Sequence, residues 1–284
     1  MSTNVLAGID GSKHTTCVCD YAAWAAQRLS ASLVLLNVLP KPEPTLLYNM
    51  GAAASLNAQD KIQAELADLD KKRAELASER SKLILSQASQ HVQQAGYSAP
   101  RTISREGRLV DVLEQYDDYA DLVVLGRRGN NEDDNPERLG GHVEQVIRTT
   151  DKPLLLTDGD YAQPKRIMIA FDGSDTTRKG LEYIASSPLF TGLECHVVMV
   201  AGASEEKQTQ LEAARQRLED AGLQATAALL QGEVKQNLLA YQEKQNIDLM
   251  VMGAYGHSRI RLWLLGSITN LMLQESHKPM LVLR

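Results

Sequence analysis

The 284-residue sequence predicts an α/β protein of two tandem, doubly wound parallel-sheet domains of Rossmann-like kind. Three observations predict it. Short apolar runs alternate with longer helical patterns, which implies parallel strands covered on both faces by helices. Three segments recur in the same order in the two halves, and an ordered repeat makes chance a poor explanation. The length suits two ordinary domains of about 100–200 residues each.

The first repeated segment is "VLAGIDGS" (Val5 to Ser12), which returns as "IMIAFDGS" (Ile167 to Ser174), an apolar strand running into Asp-Gly-Ser. After it, "YAAWAAQRL" places Trp24 in apolar-periodic surroundings suited to a core or an interface. Between the second strand and the next "AG", residues Leu56 to Gln94 carry a helical pattern about 35 residues longer than its counterpart. Within it Ile62, Leu66, Leu69, Leu76 and Leu83 form a narrow stripe at heptad-like spacing, and Asp68 and Lys72 make a favourable i,i+4 pair. Two readings stand for this segment: an extended surface helix, or an arm that packs on another protomer.

"ADLVVLGRRG" (Ala120 to Gly129) returns as "IDLMVMGAYG" (Ile247 to Gly256), and "DKPLLLTD" (Asp151 to Asp158) as "HKPMLVLR" (His277 to Arg284). The halves divide at "DGDYAQP", Asp158 to Pro164, whose Gly, Pro and polar residues suit a linker. The expected units are therefore residues 1–158 and 164–284. In the second unit "RIMIAF", "CHVVMV", "ATAALL", "DLMVMG" and "PMLVL" read as strands, while "EEKQTQLEAARQRLEDAG" and "GSITNLMLQES" read as helices.

Composition narrows the function classes. At 43% hydrophobic and 23% charged the chain reads as folded and globular, and no apolar run approaches the roughly 20 residues of a membrane span. No basic region followed by a long apolar segment opens the chain, so a cytoplasmic location is expected. A net charge of −6 disfavours nucleic acid and anionic lipid as partners. The cysteines, Cys17, Cys19 and Cys195, lack zinc or thioredoxin-like spacing and read as reduced small hydrophobes. None of the six histidines has a second histidine at i+4 with a carboxylate, so no metal site is expected.

The chemistry concentrates at the carboxyl ends of the strands, where ligands bind in such sheets. Asp10 and Asp172 close the first strand of each half, and the glycines follow the fourth. In the second half Gly253, Gly256, Gly266 and Ser267 make a Gly-x-x-Gly, nine-residue, Gly-Ser pattern opening a helix. Glycine there permits positive φ and close approach of main-chain amides to a ligand, and a helix N-terminus favours an anion. Ser267 has a hydroxyl for a phosphate or for capping its own helix. His257, inside the motif, is placed either to donate to a phosphate or to sit in solvent. For Asp10 and Asp172, hydrogen bonding to a ligand or to their own turn is expected rather than catalysis. Neither a Walker-type GxxxxGK[ST] nor a GxGxxG is present.

The first half departs from this pattern. Gly126, Gly129 and Gly140 persist, but the spacing is one residue longer, Gly141 stands where the second half has Ser267, and Glu132, Asp133 and Asp134 enter the loop. A unit negative charge roughly 6 Å from a phosphate costs on the order of 3 kcal/mol at an effective dielectric of about 20, before screening. Arg127 and Arg128 are candidates to offset part of it.

A strand ending in Asp-Gly-Ser, a parallel α/β unit and a late GxxG-x9-GS together resemble the universal stress protein family, over nearly the whole chain as a tandem member. The resemblance implies ATP, with Mg²⁺ as its companion ion. It implies that Ala170 and Asp172 line the base and ribose pocket, and that the backbone of Val200 faces adenine. Met252, Gly253, Gly256, Gly266, Ser267 and Ile268 would hold ribose and phosphates. Asp10, Val38, Gly126, Gly129 and Gly140 would form a degenerate first site. Single domains of the family often pair through their last strands, so "PLLLT" (Pro153 to Thr157) and "PMLVL" (Pro279 to Leu283) are expected to meet across an intramolecular pseudo-twofold axis. The tandem chain could associate further as a homodimer. The function implied is a nucleotide-binding stress-response regulator rather than an enzyme. A slow ATPase or nucleotide hydrolase and a nucleotide-independent scaffold are the alternatives.

Overall fold

The structure is a computed structural model describing residues 3–41, 56–129, 140–254 and 266–284, with side chains from 64 onward in the second of these segments. In the first half, strands β1 (Asn4–Gly8), β2 (Ser32–Leu39), β3 (Arg101–Glu106), β4 (Leu122–Gly126) and β5 (Leu154–Thr157) alternate with helices α1 (Thr15–Leu29), α2 (Leu56–Gln94), α3 (Leu109–Glu114) and α4 (Gly141–Thr149). The second half repeats this as β6 (Arg166–Ala170), β7 (Glu194–Val200), β8 (Gln224–Leu230), β9 (Leu249–Gly253) and β10 (Met280–Leu283), with α5 (Asp175–Ser186), α6 (Glu205–Asp220), α7 (Val234–Lys244) and α8 (Ser267–Glu275).

All ten strands join one sheet, in the order β3-β2-β1-β4-β5-β10-β9-β6-β7-β8. Within each half the neighbours are parallel. At the centre β5 and β10 are antiparallel, with Met280 opposite Leu156, Leu281 opposite Leu155 and Val282 opposite Leu154. The two final strands thus meet as the sequence predicts. Strand β5 reads Leu-Leu-Leu-Thr and β10 Met-Leu-Val-Leu, apolar on both faces, so each would be an aggregation-prone edge if left unpaired. Among the described residues, pairing them leaves β3 and β8 at the edges.

Side chains alternate across the pleat, so each strand feeds two cores. Leu155 and Leu281 join Ala7, Trp24 and Ile169 on one face. Leu154, Leu156, Met280 and Val282 join Leu6, Val123 and Met250 on the other. Both cores run through both halves. Trp24 is buried, and the three cysteines are buried and free, with burial pushing their thiols up to about 11 or 12.

Helix α2 docks on the first half through Ser81, Leu85, Ala88 and Val92, all buried. Their i, i+4, i+7, i+11 spacing is one stripe of an α-helix. The segment between the halves is tied down more firmly than a linker suggests. The Tyr161 ring packs edge-on against Tyr21 at 4.8 Å, the Tyr21 hydroxyl donates to the Ala162 carbonyl at 3.1 Å, and Asp158 is only 8% exposed.

Candidate functional site

Strand order reverses between β9 and β6 in the second half and between β4 and β1 in the first. Each reversal opens a crevice at the carboxyl edge, because the connections leave to opposite sides. Ala170, Val200 and Gly253 end β6, β7 and β9 at that edge, each partly exposed, and Met252 is buried one residue before.

Just beyond β6, Asp172 forms the turn. Its Oδ1 accepts from the Ser174 amide at 2.9 Å and from the Thr177 hydroxyl at 2.8 Å, and the Ser174 hydroxyl caps α5 by accepting from the Thr177 amide. Asp10 does the same in the first half, accepting from the Ser12 amide at 2.9 Å. The glycine between them takes a left-handed backbone in both turns, φ 76° at Gly11 and 78° at Gly173. In these two turns the backbone needs glycine's conformational freedom.

The later glycines are different. Gly266 precedes α8 at φ −53° and Gly140 precedes α4 at φ −57°, both open to any L residue. The expectation of positive φ at these positions is therefore corrected: what glycine offers there is the absence of a Cβ. Each amide closes the loop in the same way, Gly266 donating to the Ala254 carbonyl and Gly140 to the Arg127 carbonyl, both at 3.0 Å. Ser267 is the first residue of α8 and is exposed, and the N-cap is Gly266, so of the two roles expected for its hydroxyl the capping one is excluded. Ile268 is partly buried against the β9 face, and Thr269 anchors the helix by donating to the Gly253 carbonyl at 2.8 Å. Gly256 and His257 lie outside the described residues, as do Glu132, Asp133, Asp134 and Trp263.

In the first half, Val38, Gly126, Gly129 and Gly140 reach the equivalent edge, but the two arginines between the glycines are committed elsewhere. Arg128 Nη2 donates to both carboxylate oxygens of Asp158 at 2.9 Å, and a Cβ at Gly129 would lie 3.1 Å from Asp10 Oδ2. Arg127 crosses into the second half. Its guanidinium donates to the main-chain carbonyls of Leu273 at 3.2 Å, of Ser276 and of Lys278, where α8 ends. It is 3% exposed, and burial pushes its pKa down to about 10, which still leaves it charged at neutral pH. A cation there satisfies orphan carbonyls and the negative end of the helix dipole. Arg284 acts reciprocally, donating to the Thr149 carbonyl at 3.2 Å where α4 ends and pairing with Asp151 at 3.1 Å. Arg127 and Arg284 thus staple the halves, while Arg128 is held within the first half by Asp158.

A model of the universal stress protein family matches residues 1–158 and 164–284. The chain belongs to the universal stress protein family. It is 32% identical to the universal stress protein Slr1230 of Synechocystis sp. over 99% of both chains. A universal stress protein from Archaeoglobus fulgidus has the same fold, with a TM-score of 0.72 at 18% identity, covering 100% of this chain and 99% of that one. A universal stress protein solved in complex with cAMP aligns with 43% of this chain and 98% of its own, at 19% identity and a TM-score of 0.37; that ligand is a statement about that protein alone.

Reading the family motif alone overlooks the roles of Asp158 and Arg284 and the partners of Arg127 and Arg128. The one signal available was the replacement of Gly-Ala-Tyr-Gly in the second half by Gly-Arg-Arg-Gly in the first. Among the described residues no helix is long and apolar enough to cross a membrane, and no group of three or more His, Cys, Asp or Glu could hold a metal ion.

Proposed function

We propose that this universal stress protein is a regulator that binds one adenine nucleotide per chain, ATP with Mg²⁺, in its second half. The observation that carries this reading is the start of α8. The other three described α-helices of that half begin with a side chain accepting first-turn amides, from Ser174, Ser204 and Glu233. Helix α8 follows Gly266, which has no side chain to cap it, at the crevice edge beside Gly253; α4 follows Gly140 in the same way, but its first residue is Gly141 rather than a serine. Uncapped first-turn amides and the positive end of the helix dipole fit a phosphate. Asp172, Ala170 and Val200 on the neighbouring strand ends would take the ribose and base, and Gly256 and His257 complete the motif in sequence.

In the first half the hydroxyl of Ser267 is replaced by Gly141, and Arg128 is held by Asp158. Loss of a charge-assisted hydrogen bond costs about 1.5–3 kcal/mol, roughly ten- to a hundred-fold in affinity. The first crevice is accordingly assigned a folding and pairing role. Nucleotide acts by differential affinity for two arrangements of the chain, since a ligand that binds both equally shifts nothing.

Isothermal titration with ATP and Mg²⁺ tests this on wild type, Gly266→Val and Gly140→Val. One site per chain is expected, lost in Gly266→Val because a Cβ and its methyls would occupy the phosphate approach, and kept in Gly140→Val. Two equal sites, or loss through Gly140 alone, would refute it.

A further inference from the structure

Helix α2 carries two apolar stripes, and the fold uses only one. Ser81, Leu85, Ala88 and Val92 are buried against the first half, whereas Leu69, Leu76 and Leu83 are 49%, 65% and 58% exposed. At 3.6 residues per turn the second stripe faces roughly 150° away from the first. Three of the four exposed large hydrophobic side chains among the described residues lie on it, the fourth being Tyr161. Residues 71–76, one turn and a half of the helix, are exposed on every face, so this part of α2 stands clear of the body.

The spacing is heptad, with Leu69, Leu76 and Leu83 at one seam position and Leu66, Arg73 and Arg80 at the other. Charge then decides what can cover it. A parallel pairing of two such helices would stack Arg73 on Arg73 and Arg80 on Arg80, and would set Glu65 against Asp70. An antiparallel pairing places Leu66 against Leu83, Leu69 against Arg80 and Arg73 against Leu76, so every seam arginine meets a leucine along its aliphatic stem. In that register Lys72 flanks Glu79 of the other helix, twice per pair. The axis falls between residues 74 and 75, and the docked residues 81–92 of the two helices lie at opposite ends of the pair.

We propose that the exposed stripe of α2 is a self-association surface, on which a second copy of this chain lays its own α2 antiparallel. The overlap from Leu66 to Leu83 spans about 27 Å. It joins two tandem chains into a dimer distinct from the internal β5·β10 pairing.

Sedimentation velocity of the full chain across about 1–100 μM tests it, with circular dichroism to confirm folding. Wild type is expected to dimerise. The triple variant Leu69→Glu, Leu76→Glu, Leu83→Glu changes only exposed side chains and should raise the dissociation constant at least about a hundredfold. Lys72→Glu should weaken the dimer about tenfold, and adding Glu79→Lys should restore it, because the exchanged pair is again complementary. Direction is read by disulfide trapping: mixed Arg73→Cys and Leu76→Cys chains should cross-link to each other, whereas parallel helices would cross-link Leu76→Cys chains alone. A monomeric wild type, a dimer indifferent to the triple variant, or self-cross-linking of Leu76→Cys alone would overturn the proposal.

Discussion

Arg127, in the glycine motif of the first half, donates to the main-chain carbonyl of Ser276 where the last helix of the second half ends. The same helix begins just after Gly266, so one end abuts the candidate phosphate site and the other is held by a cation from the opposite half. Removing that cation leaves three carbonyls at the end of α8 without their donor. Arg127→Met should destabilise the fold by about 2–4 kcal/mol. Arg127→Lys, which keeps the charge but loses the fork, should cost roughly half as much. Urea unfolding measures both, and equal stabilities across the three proteins would show the contact to be inconsequential.

The Leu155 and Leu281 side chains sit directly opposite each other in the central antiparallel pair, at 1% and 0% exposure. Each alanine substitution should cost about 2–5 kcal/mol, the usual range for an emptied leucine site. Opposed residues also couple. The double variant should depart from additivity by about 0.2–1 kcal/mol, whereas Leu155→Ala with Leu36→Ala, a pair with strands β1 and β4 between them, should add. Equal additivity in the two cycles would argue that the final strands do not meet in solution.

Gly11 and Gly141 separate two uses of glycine. At Gly11 φ is 76° and a Cβ would lie 2.7 Å from Ile84 Cδ1 on α2, so Gly11→Ala should cost about 2 kcal/mol and disturb the docking of that helix. At Gly141 nothing lies within 4 Å of a Cβ and the residue opens α4, so Gly141→Ala should be neutral or stabilising by up to about 1 kcal/mol. Thermal midpoints falling equally in both variants would contradict the distinction.

His14, just before α1, has its pKa lowered, first by burial and then by Arg128 and Lys13, with Asp158 and Asp10 opposing. Its folded pKa lies below the ordinary value of 6.5, so between the two values the unfolded chain binds more protons. Stability therefore rises with pH through that window and is lost as pH falls from 6.5 toward the folded value. His14→Gln should flatten the pH dependence of the urea midpoint there. A slope unchanged in the variant would assign it to another group.

The strands of the second half and the helices α2, α6 and α8 were legible in the chain itself, because they are encoded within short windows, whereas α5 and α7 were not singled out. "DLMVMG" and "PMLVL" became β9 and β10, and the pattern from Leu56 to Gln94 became α2 with those bounds. The resemblance to the family, whose single domains often pair through their last strands, implied the pairing of β5 and β10, and their apolar edges fit it. The site residues were legible as positions, not as conformations. Spacing placed Asp172 and Gly253 at the carboxyl edge of their strands, but the left-handed residue proved to be Gly173, and Gly266 needs no such freedom. Only the tertiary structure decided where Arg127 and Arg284 go, how Asp158 and Tyr161 tie down the junction, and which stripe of α2 the body covers. The contacts of Arg127, of Arg284 and of Tyr161 join residues more than a hundred positions apart, and those of Asp158 and α2 join residues on different elements. Their partners are mostly main-chain carbonyls, present at every residue and so invisible in sequence until the fold brings a particular helix end within reach of a particular arginine.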